Sequence, residues 1–407
     1  MKDNRNLWQR AVQGLRDLLH VFVAEAKMTY KDMGVMIFFV VVPLLYPLLY
    51  SYIYNNEVVR EVPAVVVDES LSATSRDYLR RVDATPDVEI VAQCADMQEA
   101  QRSLRRGDAY GIIYIPRDFD AQLALGRQAT ISLYCDMSGL LYYKSIVLAN
   151  TAVSLEMNSE IKIERSSNTT ARQDELTAYP IAYEEVPIFN PSGGFASFLL
   201  PAVLILIIQQ TLLLGVGLSA GTARERSKHH DLVPIDDHYS GTLRVVLGKS
   251  LCYFLVYMLV SFYVLGVVPR IFSLVQIGQA SDLLLFALPY LLACIFFAMA
   301  ASALVRNRET CMLLFVFTSV PLLFISGISW PGAAIAPFWK YVSYLFPSTL
   351  GINGFVKMNN MGATLSEVAF EFKALWIQAG VYFIATCWVY YINISRSRSR
   401  ALEMQAE

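Results

Sequence analysis

The chain has 407 residues, 55% hydrophobic and 17% charged, with a formal net charge of −2. That is too apolar for a soluble protein of average make-up, so part of the chain is solvated by lipid. The near-neutral sum gives no reason for a nucleic-acid partner, and it conceals a segregation of signs along the chain.

Residues 1–33 come first. Trp8, Val12, Leu15, Leu19, Phe22 and Ala26 recur at helical spacing against Arg10, Gln13, Arg16, Asp17 and His20, which is the pattern of an amphipathic helix. Lys27 and Lys31 continue its basic character. A polar stretch precedes the hydrophobic run and no small-residue cleavage site follows, so it does not read as a signal peptide. The expectation is a helix lying along the cytoplasmic membrane face; the alternative is a soluble packing helix. Residues 34–54 then give a first span of bilayer length. Pro43 and Pro47 interrupt it, and Tyr46, Tyr50, Tyr52 and Tyr54 mark its far interface.

Composition changes over 55–193, which has ordinary soluble character. VPAVVVD (62–68), VEIVA (88–92), AYGIIYIP (109–116) and ATISLYCD (129–136) read as strands. They alternate with helical patterns over 71–82, 97–106 and 118–125, which argues for an α/β layer. Residues 140–165 form one long helical pattern, expected as a stalk leading back toward the membrane. SSNTTARQDE (166–175) is a polar linker, and its sequon at Asn168 is too common by chance to carry weight.

Five more hydrophobic segments follow, over 194–218, 244–268, 283–305, 311–328 and 374–394, before a tail at 395–407. Between the last two spans, 329–356 is broken by Pro331, Pro337 and Pro347 and carries PFWKYVSYLFP. Broken backbone at membrane depth is tolerated only against protein or a water-filled cavity. We expect a re-entrant or interfacial extracytoplasmic hairpin rather than a seventh span. The fold class is therefore a polytopic α-helical membrane protein of six spans with an inserted extracytoplasmic α/β domain.

The connection at 219–243 has the character of a contact surface. Arg224, Glu225, Arg226 and Lys228 crowd its start, where a bare tether needs neither sign of charge. Leu232, Val233, Pro234 and Ile235 then place an apolar knob in mid-loop. Lys and Arg are concentrated in this loop and in both terminal segments. By the positive-inside rule these are cytoplasmic and the α/β domain is outside, in a bacterial periplasm.

Catalytic chemistry finds little support. GKS at 248–250 lacks the first glycine of a phosphate loop, since Leu243 stands there. His229, His230 and Asp231 are expected to be solvated surface residues rather than metal ligands, with His238 too distant to join them. The cysteines show no metal spacing, and a disulfide between Cys94 and Cys135 is left open. No nucleophile–base arrangement is visible. The better candidates are polar residues inside the spans, Gln209, Gln210, Thr318, Ser319 and Ser326. Each either bonds a neighbouring helix or lines a substrate pathway.

Several segments resemble one known family. AEAKMTYKD lies before the first span, and VVVDES, RRGDAYGIIYIPRDFDAQLALG and ISLYCDMS lie in the inserted domain. ARERSKHHDLVPI and ISGISWPGAAIAPFWKYVSYLFPST follow in order. Together the chain resembles the permease subunit of ABC-2 type exporters, in the subgroup with a large extracytoplasmic insertion after the first span. It departs at His229-His230, where that family commonly carries Gly-Thr. The resemblance implies a transporter half with no motor and no cofactor of its own, ATP and Mg²⁺ being held by a separate ABC ATPase. The motor would dock on the cytoplasmic loop and the N-terminal helix. It further implies a second permease, identical or paralogous, and export of a drug, lipid or other amphiphile from the inner membrane. A periplasmic adaptor and an outer-membrane channel are further expected partners. The competing reading is a membrane receptor whose α/β domain binds a ligand without transport; a membrane-embedded enzyme ranks below both.

Overall fold

The computed structural model describes residues 7–165, 170–178, 186–191, 193–227, 231–234, 236–239 and 241–406. Two compact units emerge, Met1–Glu57 with Pro187–Glu407, and Val58–Val186.

Chain order begins with α1 (Leu7–Lys31) and α2 (Met33–Ile53). Asp32 separates them. Its Oδ1 accepts from the N–H groups of Gly34 (3.0 Å) and Val35 (3.4 Å), satisfying donors that a helix start leaves unpaired. A π turn at Ile37–Val41 precedes Pro43, whose missing N–H cannot serve the turn before it.

The second unit holds β1 (Val62–Asp68), α3 (Ala73–Asp83), β2 (Val88–Gln93), α4 (Met97–Arg106), β3 (Gly111–Ile115), α5 (Phe119–Ala124), β4 (Ser132–Cys135), α6 (Leu140–Arg165) and α7 (Ala171–Ala178). The sheet order is β2-β1-β3-β4, with β1 parallel to both neighbours and β4 antiparallel to β3. Alternate residues of β1 serve opposite faces. Val62, Ala64 and Val66 share a core with Tyr78 and Val82 of α3 and Ile146, Ala149 and Val153 of α6. Val65 and Val67 share another with Cys94 and Ala100. A central parallel strand covered on both faces is continuously apolar for this reason. The stalk expected at 140–165 is thereby corrected: α6 spends its inner face on the sheet, and its Asn150 Oδ1 accepts from Tyr78 (3.0 Å). Cys94 and Cys135 are free thiols in different cores.

The remaining helices are α8 (Phe195–Arg226), α9 (Thr242–Ile271), α10 (Ala280–Leu304), α11 (Arg308–Ile325), α12 (Pro337–Ser343), α13 (Pro347–Met361) and α14 (Ala369–Ala406). Among the described residues six helices are long and apolar enough to cross a membrane: α2, α8, α9, α10, α11 and α14. In α8, 94% of the most hydropathic window is buried, against 17% in α11. A helix apolar on every side has to be enclosed, and α2, α10, α11 and α13 pack around α8. Glu57 fixes its start. The Glu57 carbonyl accepts from Phe195 N–H (2.8 Å), and its carboxylate accepts from Ser197 Oγ (2.7 Å). Gly194 permits this approach, because a Cβ there would lie 1.6 Å from Glu57 Oε2.

Two boundaries differ from expectation. The last turns of α8 run on to Arg226, through residues read as the start of the 219–243 loop, because their side chains find partners in the bundle. The broken region 329–356 contains the short helix α12 and then α13, which continues to Met361 and buries Ser348, Thr349 and Leu350.

Candidate functional site

Two carboxylates of α1 and Asp32, the residue that follows it, meet three cations from the bundle. Asp17 and Glu25 are eight residues apart, and Asp32 lies seven beyond. On a helix of 3.6 residues per turn they fall within about 80° of one another. Asp17, Val21, Glu25 and Thr29 are all buried, whereas Leu15, Leu19 and Val23 are exposed. The amphipathic helix is therefore turned opposite to an ordinary soluble packing helix. The line Asp17, Val21, Glu25 and Thr29 faces protein, while Gln13, Arg16, His20 and Lys27 stay exposed beside the exposed leucines.

Each acid is held differently. Asp17 pairs with Arg244 at the head of α9, and its Oδ1 lies 2.9 Å from His238 Nδ1. His238 also stacks on His20 with ring centroids 4.3 Å apart. Glu25 and Lys249 form a closed pair at 2.9 Å with side chains 4% and 5% exposed. Ser219 donates to Glu25 Oε1 (3.0 Å), as does Tyr253. Burial would raise the Glu25 carboxyl. The Lys249 ammonium and the donating hydroxyls outweigh it and hold the group below its ordinary range. Asp32 Oδ2 accepts from Thr222 Oγ1 (2.8 Å) and from Arg308. Asp32 thus ties the α1–α2 junction to the end of α8 and the start of α11. Close approach is part of the design: a Cβ on Gly248 of α9 would lie 2.8 Å from the Leu18 carbonyl of α1.

A buried ion pair is specific rather than strongly stabilising. Removing one partner leaves an uncompensated charge, at a cost of about 3–5 kcal/mol. The seam therefore fixes where α1 sits, and a displacement of α1 has to be followed by α8, α9 and α11.

The expected contact loop is corrected at several positions. Arg224 is 8% exposed and reaches back to the Ala303 carbonyl (3.4 Å). Glu225 accepts from the Arg308 N–H (2.9 Å). Leu232 and Val233, read as an outward knob, are 1% and 2% exposed in the bundle core. Apolar side chains beside an open bundle end fold inward because water would otherwise cover them. Arg226 and Pro234 remain exposed. Ile235 lies outside the described residues, as do Lys228, His229 and His230. His238, set apart from that histidine pair in sequence, joins the seam, and Asp231, read as solvated surface, pairs with Arg400 at 3.1 Å. Among the described residues no group of acids, histidines and cysteines has metal-binding proximity.

The polar residues within the spans separate into two kinds. The hydroxyls of Thr318, Ser319 and Ser326 donate to carbonyls three residues back, at 2.8, 2.7 and 2.6 Å. Ser326 is buried, and Thr318 and Ser319 are half-buried. Gln209 and Gln210 sit on the enclosed α8. Gln209 Oε1 accepts from the Ser348 N–H (2.6 Å) at the start of α13. Its Nε2, both amide atoms of Gln210, and the hydroxyls of Ser348 and Thr349 are buried without a protein partner. Buried polar atoms left unpaired are costly, and here they gather where a broken hairpin meets the central span. The sequence reading had singled out the glutamines and missed the serine and threonine. It also missed the acidic stripe of α1, whose signal was carboxylates at helical spacing on an otherwise basic helix.

Among curated proteins no significant match to the chain is found. Residues 33–388, from the Asp32-capped first span into the last, match the sequence model described as ABC-2 family transporter protein. The chain belongs to that family of membrane transporter subunits, which implies an ABC ATPase partner.

Proposed function

We propose that the chain is the permease of an ATP-driven exporter, carrying a drug, lipid or other amphiphile out of the cytoplasm or inner leaflet by alternating access. ATP and Mg²⁺ reside on the separate motor subunit, and two permeases, identical or paralogous, enclose the pathway. Both termini face the cytoplasm of a bacterial inner membrane. The α/β unit faces the periplasm, available to an adaptor and an outer-membrane channel.

The observation that supports this reading best is the seam. A receptor needs no helix locked by three acid–base contacts to α9 and α11 and by two hydroxyls of α8. A motor-driven subunit does, because force applied at α1 has to reach the spans without slack. Exposed Arg226 and Pro234 lie beside it as motor contacts, with Glu225 shared between Arg308 and solvent. Gln209, Gln210, Ser348 and Thr349 are the polar lining of the pathway, where unpaired groups have use for water or cargo.

The test is transport in inside-out membrane vesicles holding the chain with its motor. ATP should drive uptake of a fluorescent amphiphilic cation or a labelled phospholipid, and Glu25→Gln should abolish uptake while motor subunits remain bound. ATP-independent or absent movement of every amphiphile class tried, with an active motor present, would remove the reading.

A further inference from the structure

A second feature lies at the opposite end of the spans from the seam. Between the far end of α9 and the first turns of α10 is a cleft of about 420 Å³, within the roughly 300–1,000 Å³ range of ligand sites. Leu265, Leu283 and Leu291 line its floor, and exposed Phe262, Leu284 and Leu288 form its rim. Two departures from regularity build it. The π turn Tyr263–Val267 widens the helix before Pro269, and Gly266 leaves space where a side chain would stand. A Cβ on Gly266 would have Phe262 Cδ2, at 4.0 Å, as its nearest neighbour. Gln276 braces the turn by donating to the Leu265 carbonyl (2.8 Å).

Two polar groups distinguish this cleft from a plain apolar groove. Ser261 is 6% exposed, lines the cleft, and its hydroxyl has no protein partner. Arg270 stands at the mouth, exposed, and is the single charged residue of the lining among the described residues. Among the described residues no salt bridge to it is formed. The nearest carboxylate in sequence, Asp282, accepts from the Leu365 N–H (3.2 Å). The arrangement is an apolar slot opening toward lipid, one buried hydroxyl inside, and one unneutralised guanidinium at the level where a span ends.

We propose that this cleft holds one acyl chain of an anionic phospholipid, whose phosphate is met by Arg270. Guanidinium matches phosphate in a forked, charge-assisted geometry, and the apolar slot running from Arg270 back along α9 suits the methylenes of an acyl chain. The bound lipid would fill the gap left by the π turn and hold α9 against α10. The assignment needs only that α9 and α10 cross the bilayer and is independent of the cargo.

The test uses the full chain in nanodiscs of equal parts phosphatidylcholine and phosphatidylglycerol, with native mass spectrometry reading the lipid retained on release. Wild type should retain phosphatidylglycerol selectively. Arg270→Gln should lower that selectivity by about tenfold, the size of one charge-assisted contact. Gly266→Leu, whose Cβ meets nothing nearer than 4.0 Å, should retain neither lipid there. Unfolding midpoints for all variants confirm that the spans are formed. Equal retention in wild type and Gly266→Leu would mean general annular lipid only and would overturn the proposal. So would an intermolecular disulfide in native membranes through Gly266→Cys, because a second copy would then cover the cleft.

Discussion

Replacing Glu25 by Gln isolates the energetics of the seam. The Glu25–Lys249 pair is almost wholly enclosed, at 2.9 Å with side chains 4% and 5% exposed, so solvent screening is small. Neutralising Glu25 leaves the Lys249 ammonium buried beside Tyr390 and Tyr239. Breaking such a pair costs about 3–5 kcal/mol. Lys249→Met should cost a similar amount by stranding the carboxylate, although Ser219 and Tyr253 still donate to it. The double variant Glu25→Gln/Lys249→Met removes both charges at matched volume, and such replacements are often neutral or stabilising. Thermal unfolding of the detergent-solubilised chain reads the cycle, at roughly 2–4 °C per kcal/mol. Each single variant should melt several degrees below wild type, with the double variant close to wild type. Additive losses, or single variants that melt like wild type, would refute the claim that the pair locates α1.

Gln210→Leu should stabilise the bundle by about 1–3 kcal/mol, since it removes two unpaired buried atoms, and should reduce transport. Gln209→Leu should destabilise by a similar amount because the Ser348 N–H loses its acceptor; thermal melts beside vesicle uptake separate the two effects. The pH profile follows from Glu25, whose folded carboxyl is held below its ordinary value of 4.5. Its contribution is complete above that value and is lost as pH falls through the depressed folded value. The melting temperature of wild type should drop on acidification in that window, and Glu25→Gln/Lys249→Met should drop less. For topology, Asp174→Cys should react with a membrane-impermeant thiol reagent applied from outside and Ser227→Cys should not, and the reverse labelling would invert the orientation.

How far the sequence carried the fold depends on the kind of residue. The spans were legible because lipid demands long apolar runs, and the strands because VPAVVVD and AYGIIYIP can be buried on both faces only in a layered sheet. The ends of α8 were not, since Arg224 and Thr222 look polar in one dimension and become helical only when Ala303 and Asp32 supply their partners. LVPI read as an outward knob because nothing local says which way a loop residue turns; the bundle end that receives Leu232 and Val233 is assembled from helices far apart in sequence. The seam was hidden for a related reason. Asp17 reads as part of a polar, water-facing side, and only the cations at 244, 249 and 308 show that the acids of this helix face inward. Gln209 and Gln210 were visible because two adjacent amides in a span are costly, but their neighbours Ser348 and Thr349 belong to a hairpin whose depth no local pattern states.

The account's central claim is that a separate motor drives the bundle through α1 and the residues beside it. The most direct measurement is the recovery of an ATP-hydrolysing subunit when the tagged chain is extracted from its native membranes in mild detergent. Wild type should bring that subunit along. Arg226→Glu, exposed beside the seam, should lose most of it, one charge-assisted contact being worth about 1.5–3 kcal/mol. Glu25→Gln/Lys249→Met should keep the motor bound. Arg224→Glu should instead lower the amount of folded chain, because Arg224 is buried against the Ala303 carbonyl. Equal motor recovery from wild type and Arg226→Glu, or no ATP-hydrolysing subunit with wild type, would contradict the claim.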